Sequence, residues 1–174
     1  MASVHIEIRR IEPADATALR SLRLAALADS PLAFGSTYAD EAQRSDAEWS
    51  ARATAASAGD ERVMFLALLD DDIVGLAGGY RNERDPTVVE LVSMWTAPDA
   101  RGLGIGRLLV RAVVGWAVAS GSRSVGLWVT RGNAPAHRLY ESTGFVESGE
   151  YRPLPSDPCA EEIRMHRSAG DRPS

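Results

Sequence analysis

The chain has 174 residues, 45% hydrophobic and 25% charged, the profile of one domain with a core of ordinary size. A formal net charge of -5, with no long Lys/Arg run, argues against general nucleic-acid binding, which needs a basic face. Cys159 is the only cysteine, so no intrachain disulfide forms, and no stretch is apolar and long enough to span a bilayer or read as a leader. The expected setting is the cytoplasm, without a membrane partner.

Val4, Ile6, Ile8 and Ile11 alternate with charged neighbours and predict a first strand. Pro13 and Asp15 open a helix in which Leu19, Leu22, Leu24 and Leu27 recur at helical spacing, and Ser30-Pro31 closes it. Residues 38–58, rich in Ala, Glu, Gln and Arg around Trp49, predict one or two further helices, ended by Gly59-Asp60. Val63–Leu69 and Ile73–Tyr80 form a hairpin across Asp70-Asp71-Asp72, whose carboxylates diverge in a solvated turn rather than collect a metal. Val88–Thr96 is the next strand.

From Arg107 to Ser120 a helix places Leu108, Leu109, Ala112, Val113, Trp116 and Ala117 on one face. Val125–Val129 is a buried strand. Asn133 caps a helix with Pro135 in its first turn, and Gly144 stops it. Two last strands, 145–151 and 161–166, flank a loop containing Pro153, Pro155 and Pro158, and residues 168–174 form a tail without an apolar anchor. The order predicts a mixed α/β structure over residues 4–167: a sheet of six or seven strands with about four helices.

The informative stretch is a strand, then Arg101-Gly102-Leu103-Gly104-Ile105-Gly106, then an amphipathic helix beginning near Arg107. Glycines there let the backbone approach a ligand, and the helix start supplies outward amides and a positive dipole end, an arrangement that suits a pyrophosphate. Arg101 and Arg107 would add charge-assisted contacts. A dinucleotide fingerprint fails because the third glycine comes one residue early, and a nucleoside-triphosphate loop fails for want of Gly-Lys-Ser/Thr.

The run resembles the Gln/Arg-x-x-Gly-x-Gly/Ala signature of the GNAT superfamily of N-acetyltransferases. Leu91–Pro98 is similar to that family's fourth strand, whose bulged end exposes backbone groups, here from Met94, Trp95 and Thr96, to the cofactor's pantetheine arm. Leu127-Trp128-Val129 resembles the fifth strand, splayed from the fourth. Asn133 through Tyr140, with Gly144-Phe145, is similar to the second signature, where the asparagine contacts the cofactor and the tyrosine faces the sulfur. Ala33-Phe34-Gly35-Ser36 resembles the acceptor-side loop, which makes Phe34, together with Trp95, a candidate for binding the acceptor.

The resemblance implies acetyl-coenzyme A as donor, no metal, and direct transfer to an amine in a ternary complex, by a monomer or homodimer. A lysine-type amine has a pKa of about 10.4 and must lose a proton at neutral pH. Glu90 is the candidate base by its distance before Arg101, matching the histone-acetylating branch; the alternatives are an ion-paired carboxylate with water as base. Tyr140 is the candidate acid for the leaving thiolate, and the amide of Thr96 or Trp95 the candidate oxyanion donor. Two other functions stay open, a non-catalytic acyl-coenzyme A-binding module and transfer to a hydroxyl. Asp40, Glu41, Asp46 and Glu48 suggest an acidic entrance for a cationic acceptor, or a solvated helix face.

Overall fold

The computed structural model describes residues 5–170. Its strands are β1 (Ile6–Arg10), β2 (Arg62–Leu69), β3 (Asp72–Arg81), β4 (Val88–Thr96), β5 (Ser124–Thr130), β6 (Val146–Leu154) and β7 (Asp157–Ser168). The helices are α1 (Ala16–Asp29), α2 (Tyr38–Ala42), α3 (Asp46–Ser57), α4 (Ile105–Ala119) and α5 (Ala134–Ser142). One seven-stranded sheet runs β1-β2-β3-β4-β5-β7-β6, antiparallel except where β4 meets β5. Its alternating side chains feed two cores: Ala67 and Ala77 pack beneath Leu109, Val113 and Ala117 of α4, while Leu66 and Leu76 pack against Leu19, Leu27 and Trp49 of α1 and α3.

Two backbone irregularities shape the sheet's centre. The parallel pairing of β4 with β5 extends only over Val88↔Ser124, Val89↔Val125 and Glu90↔Gly126. Beyond Glu90, β4 stays with β3 while β5 follows β7 to Thr130↔Glu162, so the expected splay between the fourth and fifth strands is present. Gly78 pairs with Val92 and Leu76 with Trp95, leaving Ala77 opposite both Ser93 and Met94. This is a bulge, and Ser93 takes a positive φ of 57° within it.

The fold departs from the sequence expectations in four places. Among the described residues there are five α-helices rather than about four. Residues 38–58 divide because Ser45 caps α3 with a reciprocal bond, Ser45 N to Glu48 Oε2 at 2.8 Å and Glu48 N to Ser45 Oγ at 3.3 Å. The buried face of α4 is rotated: Val110 and Val114 are buried and Leu108 is 37% exposed. The proline-rich segment is no loop, since Pro153 lies in β6 and Pro158 in β7 with a tight turn between. β6 lies at the sheet's edge, where an absent amide proton is tolerated. The expected tail starts too early, because Ala169 is buried and its amide donates to Arg123 O at 2.9 Å. Val4 and residues 171–174 lie outside the described residues.

Candidate active site

A cleft of about 770 Å³ opens where β4 hands over to α4. Gly102 and Gly104 both have φ of 81°, which an L side chain rarely adopts, and a Cβ added to either would meet nothing within 4 Å. The loop is thus bent by its glycines and open on its outer side. Gly104 is the N-cap of α4 and provides no side-chain cap, so the leading amides of the helix point into free space. Gly106 serves differently: a Cβ there would lie 3.2 Å from Leu139 and 3.3 Å from Met94, so its lack of a side chain lets α5 approach.

The bulged strand supplies the other wall. Ala97 N donates to Val74 O at 2.7 Å, and Thr96 sits opposite Gly75. In an antiparallel ladder this makes Thr96↔Gly75 a non-hydrogen-bonded pair, so the Thr96 amide faces away from β3, toward the gap left by β5. Thr96 Oγ1 is buried without a partner on the same wall. Met94, Trp95, Ile105 and Asn133 also line the cleft. Asn133 Oδ1 caps α5 by accepting from Ala136 N at 3.3 Å.

The cations divide in an unexpected way. Arg101 lines the cleft, but its side chain is committed: Nε donates to Thr96 O at 3.0 Å and Nη2 is bonded to Asp29. It braces the loop instead of reaching outward for a phosphate. Arg107 lines the cleft with no ion pair among the described residues, and so does Arg138, which sequence reasoning passed over. Leu103, 47% exposed, does not line it, and only its backbone can contribute there.

Tyr140 stands where this cleft meets a second chamber of about 450 Å³; with Ala33, Phe34 and Met94 it lines both. The residue is 6% exposed, packs edge-to-face on Phe145 with centroids 5.9 Å apart, and its hydroxyl has no hydrogen-bond partner among the described residues. Burial pushes the phenol well above its ordinary value, so it holds its proton throughout the working pH range. Phe34 is held over the junction by two bonds to its loop, Thr130 Oγ1 to Leu32 O at 2.5 Å and Ser156 Oγ to Phe34 O at 2.6 Å.

Glu90 lines the chamber, but both of its oxygens are engaged. Arg164 grips it with two nitrogens, Nη1 to Oε2 at 2.5 Å and Nη2 to Oε1 at 2.8 Å, and Asn82 Nδ2 donates to Oε1 at 2.9 Å. To reach it, Arg164 crosses Gly126, where an added Cβ would lie 2.2 Å from the guanidinium. Burial alone would raise the Glu90 carboxyl. The Arg164 and Asn82 hydrogen bonds and the charges of Arg164 and Arg152 outweigh it and hold the group below the usual range. A carboxylate in that state is a weak base, which favours the ion-pair alternative. Gly126, isolated within an apolar strand, was the available sequence signal for this close approach.

Trp95 is absent from the chamber's walls. Its ring is 7% exposed in the core beside Leu66 and Leu76, and its Nε1 donates to Asp29 Oδ2 at 2.9 Å, so its place is on the donor side, away from the acceptor. The acidic entrance is also corrected. Glu41 is 1% exposed and is reached by Arg44 and Arg52 at 2.8 Å each and by Arg23 at 3.9 Å. Arg23, Arg44, Arg52 and Arg152 line the chamber with three glutamates, all ion-paired. Arg23 had a signal: it falls on the stripe of Leu19 and Leu27, where an apolar residue belongs. Ser93, which also lines the chamber, had none.

The family model described as Acetyltransferase (GNAT) family matches residues 23–145. The chain is 39% identical over 85 residues to N-acetylaspartate synthetase of Homo sapiens, covering 49% of this chain and 28% of that protein. It is 32% identical over 140 residues to mycothiol acetyltransferase of Brachybacterium faecium, covering 79% of this chain and 40% of that one. The chain thus spans less than half the length of either relative. Among solved structures, the acetyltransferase of GNAT family from Streptococcus pneumoniae superposes with a TM-score of 0.80 at 26% identity, covering 95% of this chain and 100% of the other. With the glycine loop, the bulged and splayed strands and the family match all in the same region, the chain belongs to the GNAT family of acetyltransferases.

Proposed function

We propose that this protein transfers the acetyl group of acetyl-coenzyme A directly to a primary amine. The observation that carries the reading is Tyr140 at the junction between the two cavities, one walled by open amides and the other by polar side chains. The residues fit the donor: the φ of 81° at Gly102 and Gly104 and the uncapped start of α4 leave amides for its diphosphate, with Arg107 and Arg138 beside them. When bound, the donor supplies an activated thioester carbonyl.

The amine nitrogen, entering from the chamber, forms the new C–N bond as the C–S bond breaks. The Thr96 amide, turned toward the gap, stabilises the developing oxyanion. Tyr140 gives its proton to the departing sulfur and recovers one from solvent. Among the described residues, no unpaired carboxylate and no histidine lines either cavity. The amine therefore loses its proton to water, and Glu90 holds Arg164 and the chamber wall in place. Cys159 is exposed on β7 and lines neither cavity, and direct attack by the amine requires no enzyme nucleophile.

The test is calorimetric titration of acetyl-coenzyme A followed by a thiol-release assay with amino acids, polyamines, aminoglycosides and peptide α-amines. Binding plus amine-dependent thiol release is expected. No binding at millimolar donor sinks the reading, and binding without release from any amine leaves the acyl-coenzyme A-binding module in its place.

A further inference from the structure

The chamber carries more positive charge than its own carboxylates neutralise. Glu162 is matched by Arg152 at 2.7 Å and Glu90 by Arg164 at 2.5 Å. Glu41 is then shared among Arg23, Arg44 and Arg52, of which only Arg44 has a second carboxylate, Glu48 at 3.5 Å, so positive charge remains in excess. Arg44 and Arg52 each make a 2.8 Å contact with it, whereas Arg23 approaches only to 3.9 Å through Nε. Arg23 is the least exposed of the three, with 11% of its side chain accessible. Its Nη2 donates to Ser36 Oγ at 2.9 Å, its guanidinium lies 4.6 Å from the Phe34 ring centroid, and its Nη1 is buried with no partner.

A second orphan belongs to a residue that lines the same small cavity. Trp49 is 1% exposed and its Nε1 is also buried without an acceptor. Arg23 and Trp49 both wall a smaller cavity of about 160 Å³, which shares Arg23, Arg52, Tyr80, Val92 and Ser93 with the acceptor chamber. A buried N–H left unpaired is costly, more so on a charged group, so two at one cavity call for an acceptor. What is missing is both anionic and hydrogen-bond accepting.

We propose that the amine acceptor carries a carboxylate, which seats between Arg23 and Trp49 while its amino group extends toward Tyr140. This rests on the acetyl-transfer reading above and adds the acceptor's class: an amino acid or a similar amino-carboxylate, and not a polyamine. Arg23 supplies charge and hydrogen bonds, and Trp49 supplies a neutral donor that fixes orientation. Glu41 and Ser36 hold Arg23 in position without consuming its free nitrogen.

The experiment compares the common amino acids with their α-carboxamides as acceptors, at saturating acetyl-coenzyme A, in the wild type and in Arg23→Met, Arg23→Lys and Trp49→Phe. At least one acid is expected to exceed its carboxamide tenfold or more in kcat/KM. Arg23→Met is expected to erase that preference through KM while donor affinity is unchanged, because Glu41 keeps two arginines. Arg23→Lys is expected to restore part of it, and Trp49→Phe to raise KM for the acid about fivefold. Wild-type discrimination needs no variant to fold, so the idea remains exposed to failure in every case.

If amines without a carboxylate are acetylated as well as the acids, this inference fails and acetyl transfer stands. If no acid is turned over, and none raises the thermal midpoint of the donor-bound protein, it is likewise overturned. If the donor itself fails to bind, the underlying reading falls first.

Discussion

The donor cleft and the acceptor chamber meet at Tyr140 but are built from different materials. The cleft is made of backbone: two positive-φ glycines, an uncapped helix start, and a strand whose outward amides are freed by the departure of β5. The chamber is made of side chains from α1, α2, α3, β3, β4, β5, β6 and β7, with guanidiniums and carboxylates packed against aromatic rings. Such an arrangement suits a family of transferases. Amides recognise an invariant diphosphate whatever the acceptor, while a wall of side chains can be exchanged as the acceptor changes.

The sharpest way to break this comparison is to ask whether Glu90 belongs to the chemistry or to the wall. Glu90→Gln leaves Arg164, 15% exposed, without its counter-charge, and is expected to cost about 3 to 5 kcal/mol of stability, read by urea denaturation. The folded carboxyl lies below its ordinary value, so its contribution is full above the unfolded pKa of about 4.3 and fades as pH falls through the folded value. The variant's deficit should therefore be constant near neutrality and close in acid. The pH profile of turnover in the remaining folded enzyme should keep its shape. A normal urea midpoint with a lost acid limb in kcat/KM would return Glu90 to the role of base.

Tyr140→Phe is next in size. It removes the proton donor at the junction and should lower kcat about 100-fold while the donor's Kd is unchanged. Because burial holds the phenol's proton far above neutrality, the wild type should show no alkaline decline from Tyr140 across ordinary assay pH. Full turnover by the phenylalanine variant would leave the leaving group to be protonated by water. Gly104→Asp probes the cleft alone. A carboxylate there repels phosphate, and the φ of 81° strains any L residue, so a modest fall in thermal midpoint should accompany a rise of about tenfold in the donor's Kd by calorimetry, with Gly104→Ala as the control for strain alone. An unchanged Kd would mean that those amides do not hold the ligand.

The two regions also differ in how far they could be read from sequence. The cleft was legible because its chemistry is local. Arg101 to Gly106 is a contiguous string, Asn133 announces the cap of α5, and the β2–β3 hairpin follows from its apolar runs and acidic turn. The chamber is made by distant residues: Glu90 meets Arg164 across 74 positions, and neither flanking sequence specifies the other. Charges on α2 looked like a solvated acidic face because the arginines that turn Glu41 inward come from α1, α3 and the turn after α2. The Ser93 bulge was equally hidden in residue detail, since nothing in Val92-Ser93-Met94 requires a positive φ. Arg101 hid a partner for the opposite reason: its type suits phosphate, and the Asp29 that bonds it lies 72 residues away in sequence.

That brace gives the smallest effect and the finest test of the division between cleft and chamber. Asp29 Oδ2 accepts from Trp95 Nε1 at 2.9 Å and from Ser30 Oγ at 2.8 Å, and is bonded to Arg101. These contacts, Trp95 foremost, hold its carboxyl below the ordinary range. Asp29→Asn keeps an acceptor oxygen but loses the charge, so it should cost about 1 kcal/mol, seen as a lower thermal midpoint. The loss should be full above the unfolded pKa of about 3.9 and vanish as pH falls through the folded value. If Arg101 braces the loop, donor affinity should weaken only a few-fold, because the glycine backbone stays in place. If the freed guanidinium instead turns to the diphosphate, Kd should tighten while stability falls, and Arg101 would then be a ligand-binding residue that Asp29 restrains.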